Sequence, residues 1–369
     1  VWTWGVTSYT TDEETGQTSP TDATEPHLIP NQVLFANEDG TLMYNIVYVA
    51  AGENFYVAIQ DDGTVWTWGD NTSGQLGMYE SASDVPKKRV IYSLDNGQNR
   101  LFEYIFALEY SNVPGADKPV NLTKYLQDKA AEVQKKNEEH DASAGENRDR
   151  YTYPTETVTL LPDVVAAAAG DHHTLLLGRD GSVWAFGDNT YGQLGTGDTE
   201  NYYGRVVQVL KGAGTGFSTS EKDGKYLTDI IQIAADGNQS MALRADGTVW
   251  TWGENTTGQL GMEAVSHSTV PVQVVKSVMD EDGTYLEQQN FYLNNIFQIA
   301  AGAGFALAAG LRTINGETEA LAFAWGDDAN GRLGIGDLLS ADGKSSTYIP
   351  QVVLNEDGSD YLTGVRQVA

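Results

Sequence analysis

The phrase Val-Trp-Thr-Trp-Gly, an aromatic strand that runs straight into a glycine turn, constrains this chain more than any other feature because it recurs. It stands at 1–5, lengthens to VWTWGDNTSGQLG at 65–77, and returns as VWAFGDNTYGQLG at 183–195, VWTWGENTTGQLG at 249–261 and AFAWGDDANGRLG at 322–334. Such self-similarity marks a repeat architecture, in which a single unit cannot bury its own apolar faces and needs its neighbours to do so. A longer unit surrounds each phrase. IVYVAAGENFYVAIQDDG at 46–63, VVAAAAGDHHTLLLGRDG at 164–181 and IIQIAADGNQSMALRADG at 230–247 each lead directly into the next aromatic phrase.

In Val65-Trp66-Thr67-Trp68, alternation puts both tryptophans on one face of a strand and Val65 with Thr67 on the other. Asp62-Gly63, Asp180-Gly181 and Asp246-Gly247 sit between strand-like runs, where glycine supplies the positive φ of a hairpin turn. A second set, Asp39-Gly40, Asp223-Gly224, Asp282-Gly283 and Asp357-Gly358, joins a PxxV strand to the IxQIA strand. Each unit therefore holds about four strands. Short four-stranded sheets that bury both faces predict an all-β fold, a β-propeller, ahead of a solenoid.

The repeated residues are accordingly read as structural: Trp66 and Trp68, Trp184, Trp250 and Trp252, and Trp325 as packing aromatics; Gly69, Gly187, Gly253 and Gly326 as turn glycines. Gly74, Leu76 and Gly77, with their copies Gly192, Leu194 and Gly195, Gly258, Leu260 and Gly261, and Gly331, Leu333 and Gly334, form a tight loop plugged by leucine. A phosphate-cradling reading of that loop lacks the lysine followed by Ser or Thr that such a loop requires.

Successive turn glycines from Gly5 onward are 64, 118, 66 and 73 positions apart, so one interval is enlarged. Residues 95–162 read as an insertion within a single propeller domain spanning 1–369. In the insertion, Leu122, Tyr125, Leu126, Ala130 and Val133 fall at helical spacing and predict an amphipathic helix near 121–140, either packed on the propeller or docking a partner. Five aromatic phrases against four segments running from AAG through ALxxDG give the expectation of a chain cut mid-repeat at both ends.

Fifty-one acids against 22 Lys and Arg give a formal net charge of −29, which repels nucleic-acid phosphates and anionic headgroups. No segment approaches a membrane span, and the absence of cysteine excludes disulfides and thiolate metal sites. Catalytic and metal chemistry find no footing. His172 and His173 lie beside Asp171, yet the slot of His173 holds Phe55, Gln239 and Phe305 in other units, the pattern of a packing position. His27, His140 and His267 lack zinc spacing, and Asp280-Glu281-Asp282-Gly283 lacks the alternating ligands of a calcium loop. Neither enzyme nor cofactor is expected.

The ordered set PxxV, IxQIAAG, ALxxDGTVWTWGDN and GQLG, clearest at 242–261, resembles the repeat of the regulator of chromosome condensation family. That resemblance implies a propeller, typically seven-bladed, and hence missing blades. The family's founding member is a nucleotide-exchange factor for a small GTPase; this acidic chain, with its expanded TYL-type hairpins, is more similar to repeats of bacterial surface and secreted proteins. The expectation is an extracellular or cell-surface module that binds a protein or glycan, either a monomeric propeller or part of a longer chain. Exchange activity on a small GTPase and a propeller-type carbohydrate-active enzyme are the alternatives.

Overall fold

A computed structural model describes residues 43–77, 163–202, 206–212, 226–262, 265–275, 292–313, 316–336 and 345–369, together with the backbone of Ile314 and of strands at 2–5, 9–11, 18–20, 27–32, 82–89, 92–94 and 158–160. Two compact units result, Val1–Arg89 with Pro162–Ala369, and Val90–Leu161.

In the first unit, β1 (Trp2–Gly5) pairs with β4 (His27–Gln32) and β2 (Tyr9–Thr11) with β3 (Thr18–Pro20), both antiparallel. Sheet I follows, with β5 (Ile46–Ala51), β6 (Phe55–Gln60), β7 (Val65–Asp70) and β8 (Ala82–Arg89). The second unit contributes β9 (Tyr92–Leu94) and β10 (Val158–Leu160), paired antiparallel. The predicted helix at 121–140, most of the 95–162 insertion, and the turns at Asp39, Asp223 and Asp282 lie outside the described residues.

Back in the first unit, sheet II is β11 (Val164–Ala169), β12 (His173–Gly178), β13 (Val183–Gly187) and β14 (Val207–Gln208). Sheet III is β15 (Ile230–Asp236), β16 (Gln239–Arg244), β17 (Val249–Glu254) and β18 (His267–Gln273). Sheet IV is β19 (Ile296–Gly302), β20 (Phe305–Ile314), β21 (Glu317–Asp327) and β22 (Ser346–Val352). Each is an antiparallel meander in chain order, the blade of a β-propeller, and the aromatic phrase is its third strand.

Alternation decides which blade each side chain meets. In sheet III, Ile233, Ala242, Trp250 and Trp252 pack into one cluster with Leu175, Leu177 and Val183 of sheet II and with Leu194 of the glycine loop that follows it. Met241, Leu243 and Val249, on the opposite face, pack with Ile299, Ala308, Phe323 and Trp325 of sheet IV. Both faces are thus dry, and each large apolar side chain buried there contributes about 2 kcal/mol.

Candidate interaction face

The repeated residues are placed inside this packing. Trp250, Trp252 and Trp325 are fully buried, Trp184 and Trp68 nearly so, and Trp66 is half-buried. A buried indole must find an acceptor for its N–H, and the two tryptophans of a phrase find theirs in different places. The first turns inward to its own sheet: Trp250 Nε1 donates to Thr248 Oγ1 at 3.0 Å, Trp184 Nε1 to Ser182 Oγ at 2.9 Å, and Trp66 Nε1 to Gln60 Oε1 at 2.8 Å. The second reaches into the preceding blade. Trp252 Nε1 donates to the Gln193 carbonyl at 2.8 Å and Trp325 Nε1 to the Gln259 carbonyl at 2.9 Å. In sheet II this slot is Phe186, which has no N–H; there Thr174 Oγ1 takes the Gln75 carbonyl at 3.0 Å.

The glycine loop is a self-satisfied structure. Asn71, Asn189, Asn255 and Asp328 each accept, through Oδ1, the backbone N–H of Leu76, Leu194, Leu260 and Leu333, and these leucines are buried. Gln75 and Gln193 donate to Asp70 and Asp188. Gly74, Gly77, Gly192, Gly195, Gly258, Gly261, Gly331 and Gly334 all have positive φ, as do Gly69, Gly253 and Gly326. At Gly187, φ is 111° and a Cβ would be driven into the His172 carbonyl.

His173 is also absorbed by the fold. It is fully buried, its Nε2 lies 2.8 Å from Ser240 Oγ, and Ser240 Oγ donates to the Gln193 carbonyl at 2.8 Å. Because the serine proton is committed to that carbonyl, the imidazole must donate from Nε2, which leaves Nδ1 without a hydrogen bond. Burial pushes its pKa down to about 4, against an opposing pull from Asp188. It is a neutral strut between sheets II and III. His172 pairs with Glu53 at 3.3 Å and His267 lies on Ser266; His140 and the side chain of His27 lie outside the described residues. Among the described residues no three His, Asp or Glu side chains gather in a metal-binding group.

What faces solvent is a feature that period-two reading of the strands does not reveal. In all four sheets the register between first and second strands slips at one place, between Ile46 and Tyr48, Val164 and Ala166, Ile230 and Gln232, and Ile296 and Gln298. A bulge re-aims the extra residue, here Val47, Val165, Ile231 and Phe297. Val47 is 60%, Ile231 56% and Phe297 42% exposed, while Val165 is partly buried.

These first strands are successive neighbours, clamped in sheets III and IV by Gln232, which donates to the Ile299 carbonyl and accepts the Ile299 N–H. The bulges therefore form a row. The same end of the sheets carries the Asp-Gly turns, since Ile230 N donates to the Gly181 carbonyl and Ile296 N to that of Gly247. In sheet IV the two-residue turn is replaced by a longer ladder, which continues beyond Gly310 through Leu311↔Ala320 to Ile314↔Glu317.

The sequence matches the family described as Regulator of chromosome condensation (RCC1) repeat in two forms, over residues 46–75, 164–193 and 230–259, and over 62–90, 180–243 and 246–309. The chain is 26% identical over 315 residues to the ultraviolet-B receptor UVR8 of Arabidopsis thaliana, covering 82% of this chain and 60% of the receptor. It is 41% identical over 129 residues to the human X-linked retinitis pigmentosa GTPase regulator, covering 35% of this chain and 11% of that protein. The chain thus spans less than two thirds of the length of either relative. Among solved structures, human WBSCR16 is 18% identical with a TM-score of 0.48, covering 90% of this chain and 58% of its own, and yeast RCC1 (Prp20) bound to Kap60 is 16% identical with a TM-score of 0.30, covering 85% and 75%.

Proposed function

We propose that this chain, which belongs to the regulator of chromosome condensation (RCC1) repeat family, is a non-catalytic binding module that grips a protein partner at the turn-bearing end of its sheets. The row of exposed bulge residues Val47, Ile231 and Phe297 carries the reading. Apolar exposure at three repeat-equivalent positions costs solvation without serving the core, and exposed apolar patches mark interaction surfaces. Repeat architectures present surfaces of this kind. Its setting is a bacterial surface or secreted protein, a placement supported by the expanded repeat form and by the acidity of the chain.

The test is a quantitative pull-down with the wild-type chain and a Val47→Ser/Ile231→Ser/Phe297→Ser variant matched in thermal midpoint. Proteins retained by the wild type should be lost from the variant; equal capture by both refutes the reading. Protease accessibility on intact cells tests the location. A second reading, nucleotide exchange on a small GTPase, draws on the name of the human GTPase regulator among the relatives and is tested by the rate of labelled-nucleotide release.

A further inference from the structure

We infer that the partner of this face is a cationic protein segment whose apolar side chains seat on the bulge row while its Lys or Arg side chains meet a parallel row of fixed carboxylates. The inference rests on the binding reading above and adds the chemistry of what is bound.

The carboxylates share the repeat of the bulges. Asp62, Asp180 and Asp246 each occupy the turn between second and third strands, and all three are exposed. Each is held by its own turn. Asp62 Oδ1 accepts the Thr64 N–H, Asp180 Oδ1 accepts the N–H and hydroxyl of Ser182, and Asp246 Oδ1 accepts those of Thr248. A carboxylate whose rotamer is already fixed loses little conformational entropy when a cation arrives.

Among the described residues, two of the arginines on this end are paired with carboxylates. Arg244, with a side chain only 11% exposed, pairs with Asp229 at 3.1 Å and Asp246 at 3.3 Å. Arg179 lies 3.6 Å from Asp163, and Arg312 stands opposite Glu319 in the extended ladder. Arg366 is exposed beside Val365, whose N–H donates to the Ala320 carbonyl, yet Asp61, Asp62, Asp180 and Glu317 are exposed around the row as well, so the surface is apolar at Val47, Ile231 and Phe297 and carries carboxylates in excess at its margin. Sheets packed face to face stand about 10 Å apart, so the two rows repeat together at that interval. An anionic or purely apolar segment would leave these carboxylates desolvated without a counter-charge, which is costly. A cationic, apolar-bearing segment satisfies both rows at once, and its encounter is accelerated by the field of the chain.

The experiment uses three labelled peptides of equal length, alternating Lys/Leu, alternating Glu/Leu and alternating Lys/Ser, titrated into the full chain by fluorescence anisotropy. The Lys/Leu peptide should bind at least about tenfold more tightly than either other peptide. It should lose about tenfold on Ile231→Ser/Phe297→Ser and again on Asp62→Asn/Asp180→Asn/Glu317→Gln, and weaken as salt is raised. Equal binding of Glu/Leu, or no effect of the carboxylate substitutions, overturns the cationic assignment; equal binding of Lys/Ser reduces it to bulk charge attraction and overturns the seating on the row. If the pull-down depends on the bulge row but the carboxylate variant captures the same proteins, the face stands and this inference falls. If the pull-down ignores the row, both fall.

Discussion

Replacing His173 by Phe should make the chain less sensitive to acid. Phenylalanine fits because Phe55 and Phe305 occupy the same slot, each opposite a turn glycine as His173 is opposite Gly187. At neutral pH the variant loses the hydrogen bond to Ser240, worth about 1 kcal/mol, and also removes the unpartnered buried Nδ1, a term of similar size and opposite sign. The two roughly cancel. Acid separates the proteins. With its pKa lowered from 6.5 to about 4 in the fold, His173 takes up its proton more readily in the unfolded chain, so stability is fully present above pH 6.5 and falls as pH drops toward 4. Linkage puts the loss at about 2 kcal/mol at pH 5 and about 3 kcal/mol below pH 4. Chemical denaturation of both proteins at pH 7 and pH 5 is the assay: the transition midpoints should be close at pH 7, and the variant should be the more stable by about 2 kcal/mol at pH 5. Identical pH dependence in the two proteins would refute the neutral-strut assignment.

Trp250→Ala should cost about 3–5 kcal/mol in a denaturant titration, since the indole is fully buried between sheets II and III; a loss below about 1 kcal/mol contradicts that placement. Gly187→Ala should destabilise by several kcal/mol or prevent folding, because the new Cβ meets the His172 carbonyl at a positive φ; a wild-type melting temperature would show the turn to be permissive. Tyr202, buried in part and donating to Asp198 at 2.7 Å, has its pKa pushed up to about 12. An ultraviolet titration of wild type against Tyr202→Phe should show the phenol lost in the variant ionising near pH 12, and ionisation near pH 10 would contradict the pairing.

The blades were legible because their signals are local. Asp180-Gly181 announces a hairpin by turn chemistry, and Trp250 and Trp252 announce a strand buried on one face by alternation. The fate of each indole N–H was not legible, since Trp250 finds its acceptor two residues away while Trp252 finds it 59 residues away, across a blade boundary. His173 was readable as a packing residue by comparison with Phe55 and Phe305, but its bond to Ser240 depends on which sheets become neighbours. The bulge row was missed for a physical reason. Ile-Ile-Gln-Ile carries no turn residue to mark a break in the strand, and a bulge inverts the facing of one residue without changing composition. The signal was the doublet itself: Ile230-Ile231 and Val164-Val165 put two β-branched residues where strict alternation wants one.

The crossing bonds of the second tryptophan bear on how such a chain tolerates rearrangement. The Gln75 carbonyl is met by Thr174, and the Gln193 carbonyl by Ser240, the counterpart of Thr174, and by Trp252 as well. Each unit is therefore tailored to the one before it. Because each donor belongs to one unit and its acceptor to the loop of the unit before, a unit moved alone carries its donors with it but leaves its own loop carbonyl to whatever unit then follows. Tolerance to rearrangement is therefore decided at the seam between two blades rather than by the length of the repeat.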